Sequence, residues 1–100
     1  MYIIIWEFEV APERAAEFRS IYSPRGEWAQ LFMKAPGYLG TQLLYSIEFP
    51  DRFITIDRWS SQGDFESFRQ LWSVQYAALD LRCEGLTASE RRIGAFSDLQ

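Results

Sequence analysis

Residues 52–68 read RFITIDRWSSQGDFESF and contain the end of one element and the start of another. The β-branched and aromatic residues at 53–59 predict a buried strand. Ser61, with Asp64 three residues later, predicts a helix N-terminus with a capping-box-like start. Apolar residues then recur at spacings of three and four up to Gly85, which predicts one long helix ended by a C-cap glycine. A strand joined directly to an amphipathic helix indicates a layered α+β fold.

The rest of the chain supplies the other elements in an informative order. Strands are predicted at residues 2–10, 38–48 and 91–96, and a tight turn at 50–51 joins the second and third strands into a hairpin. A helical region follows Pro12 and is interrupted at residues 23–26, so two pieces with a kink are expected. The order β-α-β-β-α-β predicts a ferredoxin-like antiparallel sheet with both helices on one face, in a single domain over residues 1–100.

Composition excludes several classes of function. The formal charge is −4 and no basic run exists, so neither nucleic acid nor an anionic membrane is expected as a partner. No apolar run approaches the ~20 residues of a membrane span. One cysteine, Cys83, cannot form an internal disulfide, which favours a reducing cytoplasm. The chain has no His and no Asn, so a histidine-ligated metal or haem is not expected and any general base is a carboxylate, Tyr, Lys or water.

The hairpin predicts two different sheet faces. If residues 50–51 form the tip and Glu48 lies opposite Phe53, alternation separates a mixed polar face from an aliphatic one. The mixed face would hold Gln42, Leu44, Ser46, Thr55, Asp57 and Trp59. The aliphatic face would hold Leu43, Tyr45, Ile47, Ile54 and Ile56, with Arg58 beside them. Because 48% of the chain is hydrophobic, we expect the aliphatic face to meet a second copy in a homodimer, while the mixed face lines a pocket under the helices. In the alternative, the faces are reversed, the polar set meets solvent and no pocket is implied.

Three side chains are the candidate catalytic residues. Trp59 could stack on a flat substrate or donate its indole N–H, Asp57 could act as a base if burial raises its pKa, and Tyr76 could donate a proton. The alternatives are a core Trp that fixes the strand-to-helix turn, a paired Asp and a packed Tyr. Candidate substrate-binding residues are Thr55, Trp6, Phe65, Phe68 and Trp72. Arg58 is expected on the other face, paired with Glu7 or Glu9.

Three segments give the chain a resemblance to a known family. APGYLGT at 35–41, TIDRWSS at 55–61 and FESF at 65–68 resemble the antibiotic biosynthesis monooxygenase family, and the likeness covers nearly the whole chain. The resemblance implies a homodimer in which two ferredoxin-like sheets form a dimeric α/β barrel. It also implies a choice among cofactor-free monooxygenases, haem-degrading enzymes and members of unassigned role.

The family's functional residues transfer only in part. Thr55 stands where the quinone-forming members have a substrate-holding Asn, Phe65 replaces a Tyr, and Leu79 falls near the position of an Arg, while the strand-end Trp59 is retained. Phe68 matches an aromatic of the haem-degrading branch, but Ala78 falls where the ligating His would be. Two hypotheses follow: a cofactor-independent monooxygenase acting on a small aromatic or quinol-type molecule, or a non-catalytic ligand-binding or structural homodimer.

Overall fold

The computed structural model describes residues 1–99, and within them the predicted α+β fold is confirmed. The strands are β1 (Tyr2–Glu9), β2 (Tyr38–Tyr45), β3 (Arg52–Trp59) and β4 (Ser89–Ser97). All pairings are antiparallel and the order across the sheet is β2-β3-β1-β4. This is the ferredoxin-like arrangement, in which β1 and β3 lie side by side at the centre of the sheet and β2 and β4 form its edges.

Both helical regions are broken into pieces. A 3₁₀ turn (Pro12–Arg14) leads into α1 (Ala15–Tyr22), and α2 (Glu27–Phe32) follows the predicted break. Gly26 is required there, because a Cβ at this position would lie 2.3 Å from a backbone oxygen of the preceding helix. The second region was predicted as one helix but divides at Trp72 into α3 (Gln62–Leu71) and α4 (Ser73–Arg82).

The predicted cap of α3 is confirmed. The hydroxyl of Ser61 accepts a hydrogen bond from the backbone N–H of Asp64 at 3.1 Å. At the far end of α4, Gly85 adopts a φ of +82°, the left-handed conformation that a C-terminal glycine provides at little cost. These two residues fix where the long helical region begins and ends.

The core is a layer of aromatic rings between the sheet and the helices. Phe8 and Phe53 on the sheet contact Phe18 of α1 with ring centroids 5.2 and 5.0 Å apart. Phe18 and Tyr22 stack at 4.3 Å. Because buried residues of every α-helix join this same cluster, the helices all cover one face of the sheet, as predicted.

The predicted register of the hairpin is wrong: Phe53 pairs three residues earlier in β2 than expected. Tyr45 lies opposite Phe53, and Thr41 lies opposite Asp57. The loop is longer than a two-residue turn because the hydroxyl of Ser46 accepts hydrogen bonds from the backbone N–H groups of residues 48 and 49, which ends β2 early. Since side chains alternate, every β2 residue moves to the opposite face from the one predicted.

The outward face of the sheet is therefore built differently from the prediction. Leu43 and Tyr45 lie on the helix side and Ile47 lies in the loop, 92% exposed. The apolar residues that share the outward face are Ile3, Ile5, Leu44, Ile54, Ile56 and Phe96. Arg58 is on this face as expected, but it donates to the Gln42 side chain at 2.5 Å, and Glu7 pairs instead with Arg91 at 3.3 Å. Within residues 1–99 no helix is both long enough and apolar enough to cross a membrane.

Candidate functional site

A cleft of about 70 Å³ opens between the sheet and helices α1, α2 and α4. The lining residues come from all four strands and these three helices: Trp6, Phe8, Tyr22, Trp28, Phe32, Thr41, Thr55, Asp57, Tyr76, Asp80 and Glu90. A water molecule needs about 10–15 Å³ by this measure, so the cleft has room for about five waters or one small ring. Aromatic walls with a few convergent polar groups are typical of a small-molecule site.

Asp57 is the carboxylate at the inner end of the cleft. Burial raises the pKa of this carboxyl from 3.8 to about 6, against the opposing effect of a hydrogen bond from Thr41. The Thr41 hydroxyl donates to Asp57 Oδ1 at 2.6 Å and lies 2.6 Å from the Tyr38 hydroxyl, from which it then accepts. A row of hydroxyls therefore runs from Tyr38 through Thr41 to the acid, a geometry suited to moving a proton.

Aromatic rings from α1, α2 and α4 form the wall that faces the sheet. The indole of Trp28 lies between two phenols, with ring centroids 6.2 Å from Tyr22 and 5.0 Å from Tyr76. Burial raises the pKa of both phenols, so they stay protonated at neutral pH. The Trp28 indole Nε1 is buried beside the Tyr22 hydroxyl and the Cys83 thiol.

Two further carboxylates, Asp80 and Glu90, lie at the mouth of the cleft. Both side chains are exposed. Glu90 lies opposite Phe8 in the sheet, which directs it to the helix side, and Asp80 is on α4. Partial burial and then the charge of Asp80 raise the pKa of Glu90. Asp80 is thus close enough to Glu90 to disfavour the ionisation of Glu90.

The structure brings four of the predicted site residues together. Trp6, Thr55, Asp57 and Tyr76 all line the cleft. They come from β1, β3 and α4, and Thr55 is almost fully buried, with 5% of its surface exposed. Their juxtaposition follows from the alternation of β1 and β3, in which Trp6 lies opposite Thr55.

The other predicted site residues lie outside the cleft lining. Trp59 is fully buried and is surrounded by the rings of Phe32, Tyr38, Phe65 and Phe68 at 5.3–5.7 Å. Its Nε1 has no hydrogen-bond partner among residues 1–99.

Phe65 and Phe68 belong to this same packed cluster. Trp72 lies at the junction of α3 and α4, where the ammonium of Lys34 covers its ring at 5.3 Å. None of these three rings is among the lining residues of the cleft.

Several lining residues were not predicted from the sequence. Thr41 was missed because the assumed register placed it away from Asp57. Tyr22 and Trp28 belong to the apolar residues that recur three and four apart in the first helical region. This pattern predicts that they are buried but not that they line a cleft. Asp80 and Glu90 lie far apart in the sequence and come together only in the fold, so no local pattern marks them. The helical spacing of Tyr22 and Trp28 was the one signal that could have found part of this set.

Comparisons with known proteins agree with the fold. The family model described as antibiotic biosynthesis monooxygenase matches residues 1–78. No curated protein sequence matches the chain. SnoaB from Streptomyces nogalater, a cofactor-independent oxygenase, is 21% identical with a TM-score of 0.73, and the match covers 99% of this chain and 93% of SnoaB.

Two further solved structures have the same fold. A Deinococcus radiodurans protein that carries the family's name is 19% identical with a TM-score of 0.74, over 100% of this chain and 94% of its own. A variant of MhuD with two manganese protoporphyrin IX molecules per active site is 18% identical with a TM-score of 0.72, over 100% and 96%. At these identities the solved structures establish the fold and nothing further.

Proposed function

The chain belongs to the antibiotic biosynthesis monooxygenase family, and from that premise we propose that it is a cofactor-independent monooxygenase acting on a small phenol- or quinol-type aromatic. The observation that carries the proposal is Asp57, a half-buried carboxyl inside an aromatic cleft with a pKa of about 6. A base is most effective when its pKa is near the working pH. Family membership supports a monooxygenase-like activity, and the cleft supports the class of substrate.

The reaction needs only the substrate and oxygen. For a phenol with an open para position, Asp57 takes the O–H proton and the phenolate transfers one electron to O₂. The radical pair then forms a C–O bond at the para carbon. When the C–H proton leaves and the O–O bond breaks, a quinone and water result. The substrate loses two hydrogens and four electrons, and O₂ receives four electrons, with one oxygen in the quinone and one in water.

The hydroxyl row gives Asp57 a way to pass on its proton. With Asp57 ionised, Thr41 donates to it and Tyr38 donates to Thr41. Once Asp57 holds a proton, the row can reverse and release that proton toward Tyr38. The phenol of Tyr76, kept neutral by burial, is placed on the cleft wall to donate a hydrogen bond to a developing oxyanion.

The size of the cleft limits the substrate. About 70 Å³ holds roughly five water-sized groups, which fits one substituted ring and not a fused polycycle in this conformation. We therefore propose a single-ring substrate, held between Trp6 and Trp28 with its phenol oxygen toward Asp57.

The residues present do not fit haem. The chain has no His, and its one thiol, Cys83, is buried with a pKa that burial raises, which disfavours the thiolate that would bind iron. The phenols of Tyr22 and Tyr76 are held in the protonated form. The carboxylates of the cleft would also repel haem propionates. No step of the proposed reaction passes through haem.

Oxygen consumption tests the proposal. Purified protein is mixed with a panel of single-ring phenols and hydroquinones, and uptake is recorded with an oxygen electrode while quinone formation is followed by absorbance. We expect catalysed uptake that Asp57→Asn reduces at least about 100-fold, the usual scale of a general base. Asp51→Asn, in the β2–β3 loop outside the cleft, is the matched control and should leave the rate unchanged. Equal rates for wild type and Asp57→Asn would refute the assigned role.

We also propose that the protein is a homodimer joined through the outward face of the sheet. Leu44 and Phe96 are each 45% exposed on that face, beside half-buried isoleucines. A contiguous apolar face of this kind is rare on a monomer surface. Sedimentation at micromolar concentration should give twice the monomer mass, and a monomer at that concentration would refute this proposal.

A ligand-binding dimer without catalysis is the second candidate function. The observation that favours it is the closed ring cluster around Trp59, which leaves that indole no access to a substrate. This candidate predicts that an aromatic ligand shifts the signals of the cleft residues in NMR spectra while no oxygen is consumed and the ligand is recovered unchanged.

A further inference from the structure

We propose that the cleft selects aromatic ligands that carry a positively charged amino group. This inference rests on the proposed function, because it assumes that the cleft is the site where the substrate binds, and it names the charge that the substrate carries. It comes from the charge of the lining and from the kind of ring that forms the walls.

Apart from the phenols, every ionisable side chain that lines the cleft is acidic. Asp57 lies inside and Asp80 and Glu90 lie at the mouth, and no Lys or Arg is among the lining residues of the part of the chain that the structure describes. The ion pairs formed within residues 1–99 involve none of these three carboxylates. The cleft therefore has a negative potential that no ion pair of these carboxylates neutralises, and a cleft of this kind attracts cations.

The basic side chains near the cleft do not neutralise its carboxylates. Arg92 lies opposite Trp6 in the sheet, but it is exposed and is not part of the lining. Arg69 stacks on Tyr76, with its guanidinium carbon 3.8 Å from the ring centroid. Arg69 is exposed and also lies outside the lining. The Tyr76 ring thus already binds one cation of the chain by a cation–π contact.

The walls suit an organic cation better than a metal ion. Trp6, Tyr22 and Trp28 supply the electron-rich faces that bind ammonium groups. In contrast, no group of three or more carboxylate, thiol or imidazole side chains within residues 1–99 is placed to hold a metal. The carboxylates are spread along the cleft, so one ring can lie between the indoles while its amino group reaches the mouth.

The two carboxylates at the mouth lie outside the part of the chain that the family model matches. The family match ends at residue 78, so Asp80 and Glu90 both lie beyond it. Family membership therefore does not account for these two carboxylates. Their position at the entrance makes them specificity determinants and not part of the reaction proposed for Asp57.

Three probes of the same size separate the effect of charge from that of shape. Benzylamine, benzyl alcohol and benzoate have one ring each and are respectively cationic, neutral and anionic at pH 7.5. Binding is measured by titration while the indole N–H signals of Trp6 and Trp28 are followed by NMR. We expect benzylamine to bind about tenfold or more tightly than benzyl alcohol, the scale of a cation–π contact with added charge attraction, and benzoate not to bind. The preference should shrink as salt is raised.

Variants at the mouth test the cause. The double variant Asp80→Asn/Glu90→Gln should bring the affinity for benzylamine close to that for benzyl alcohol and leave benzyl alcohol unaffected. Glu84→Gln, an exposed carboxylate near the same helix end but outside the cleft, is the matched control. Equal affinity for the cationic and neutral probes, no binding of benzylamine at millimolar concentration, or an undiminished preference in the double variant would overturn the inference. Displacement of benzylamine by Mg²⁺ through the same two carboxylates would also overturn it.

This test can fail separately from the proposed function. Binding is measured without oxygen and without turnover. If benzylamine is preferred but no amino-substituted or neutral phenol consumes oxygen, the monooxygenase proposal fails and the charge preference is supported. If a neutral phenol is oxidised and the cationic probe is not preferred, only the charge preference fails.

Discussion

Replacing Asp57 by Asn should stabilise the protein at neutral pH while it removes the proposed base. In the folded protein, burial raises the pKa of Asp57 from 3.8 to about 6. Between these two values the folded state holds a proton that the unfolded state has lost, so stability falls as pH rises. The stabilising contribution of the neutral acid is fully present below the unfolded pKa and is lost once pH rises through about 6.

The magnitude follows from the size of the shift. A rise of roughly two pKa units corresponds to about 3 kcal/mol, because each unit is worth about 1.4 kcal/mol. Asn resembles the neutral acid in shape and still accepts the hydrogen bond from Thr41, so it avoids this penalty. The advantage of the variant should grow from below about 1 kcal/mol near pH 4 to about 3 kcal/mol at pH 8. For a domain of this size that is a rise in Tm of about 10 °C or more.

Urea unfolding of both proteins from pH 4 to pH 8, at one fixed protein concentration, measures the effect. The concentration is fixed because the stability of the proposed dimer would depend on it. Asp51→Asn, which changes the same side chain in the β2–β3 loop, controls for the loss of one negative charge. If Asp57→Asn is no more stable than wild type at pH 8, or if its advantage does not depend on pH, Asp57 is not desolvated as the structure indicates.

Three further changes test other parts of the reasoning. Thr41→Val removes the donor that lowers the pKa of Asp57, so the acidic limb of the pH–rate profile for oxygen uptake should move to higher pH; an unmoved profile would argue against the hydroxyl row. Trp59→Phe should lower the free energy of unfolding by about 1–3 kcal/mol through lost packing while KM stays unchanged, and a large rise in KM would show that the indole contacts substrate after all. Ile56→Glu, on the outward sheet face, should give monomers in sedimentation, whereas an intact dimer would place the interface elsewhere.

The fold could be predicted because its signals are local. The alternation of Ile4, Trp6 and Phe8 gives β1 one helix-facing side, and the Ser61 cap marks the start of α3. The register of the hairpin could not be predicted in the same way. It depends on the Ser46 hydroxyl, which accepts two backbone N–H groups and lengthens the loop. A side chain that takes backbone hydrogen bonds away from the strand pairing does not alter the hydrophobic periodicity of the sequence.

The candidate site was likewise predictable only where the strand alternation determines it. Thr55 and Asp57 were placed on the helix side by the alternation of β3, and the structure has them there. Trp59 shares their face, yet it ends the strand beneath α3, where Phe65 and Phe68 close over it. The sequence predicts which face a residue is on, but the depth of that residue depends on how the helix crosses the sheet.

The odd register shift has a chemical consequence as well as a structural one. With the predicted register, Leu44 would lie opposite Asp57, and the acid would have no hydroxyl directly across from it on β2. The actual pairing places Thr41 opposite Asp57 and through it Tyr38, which begins the same strand. A buried carboxyl without a donor would be driven further toward its neutral form, and a smaller fraction of it would be ionised at neutral pH. The hydroxyl of Thr41 therefore balances burial, and that balance leaves the pKa of Asp57 at about 6, where both protonation states are available.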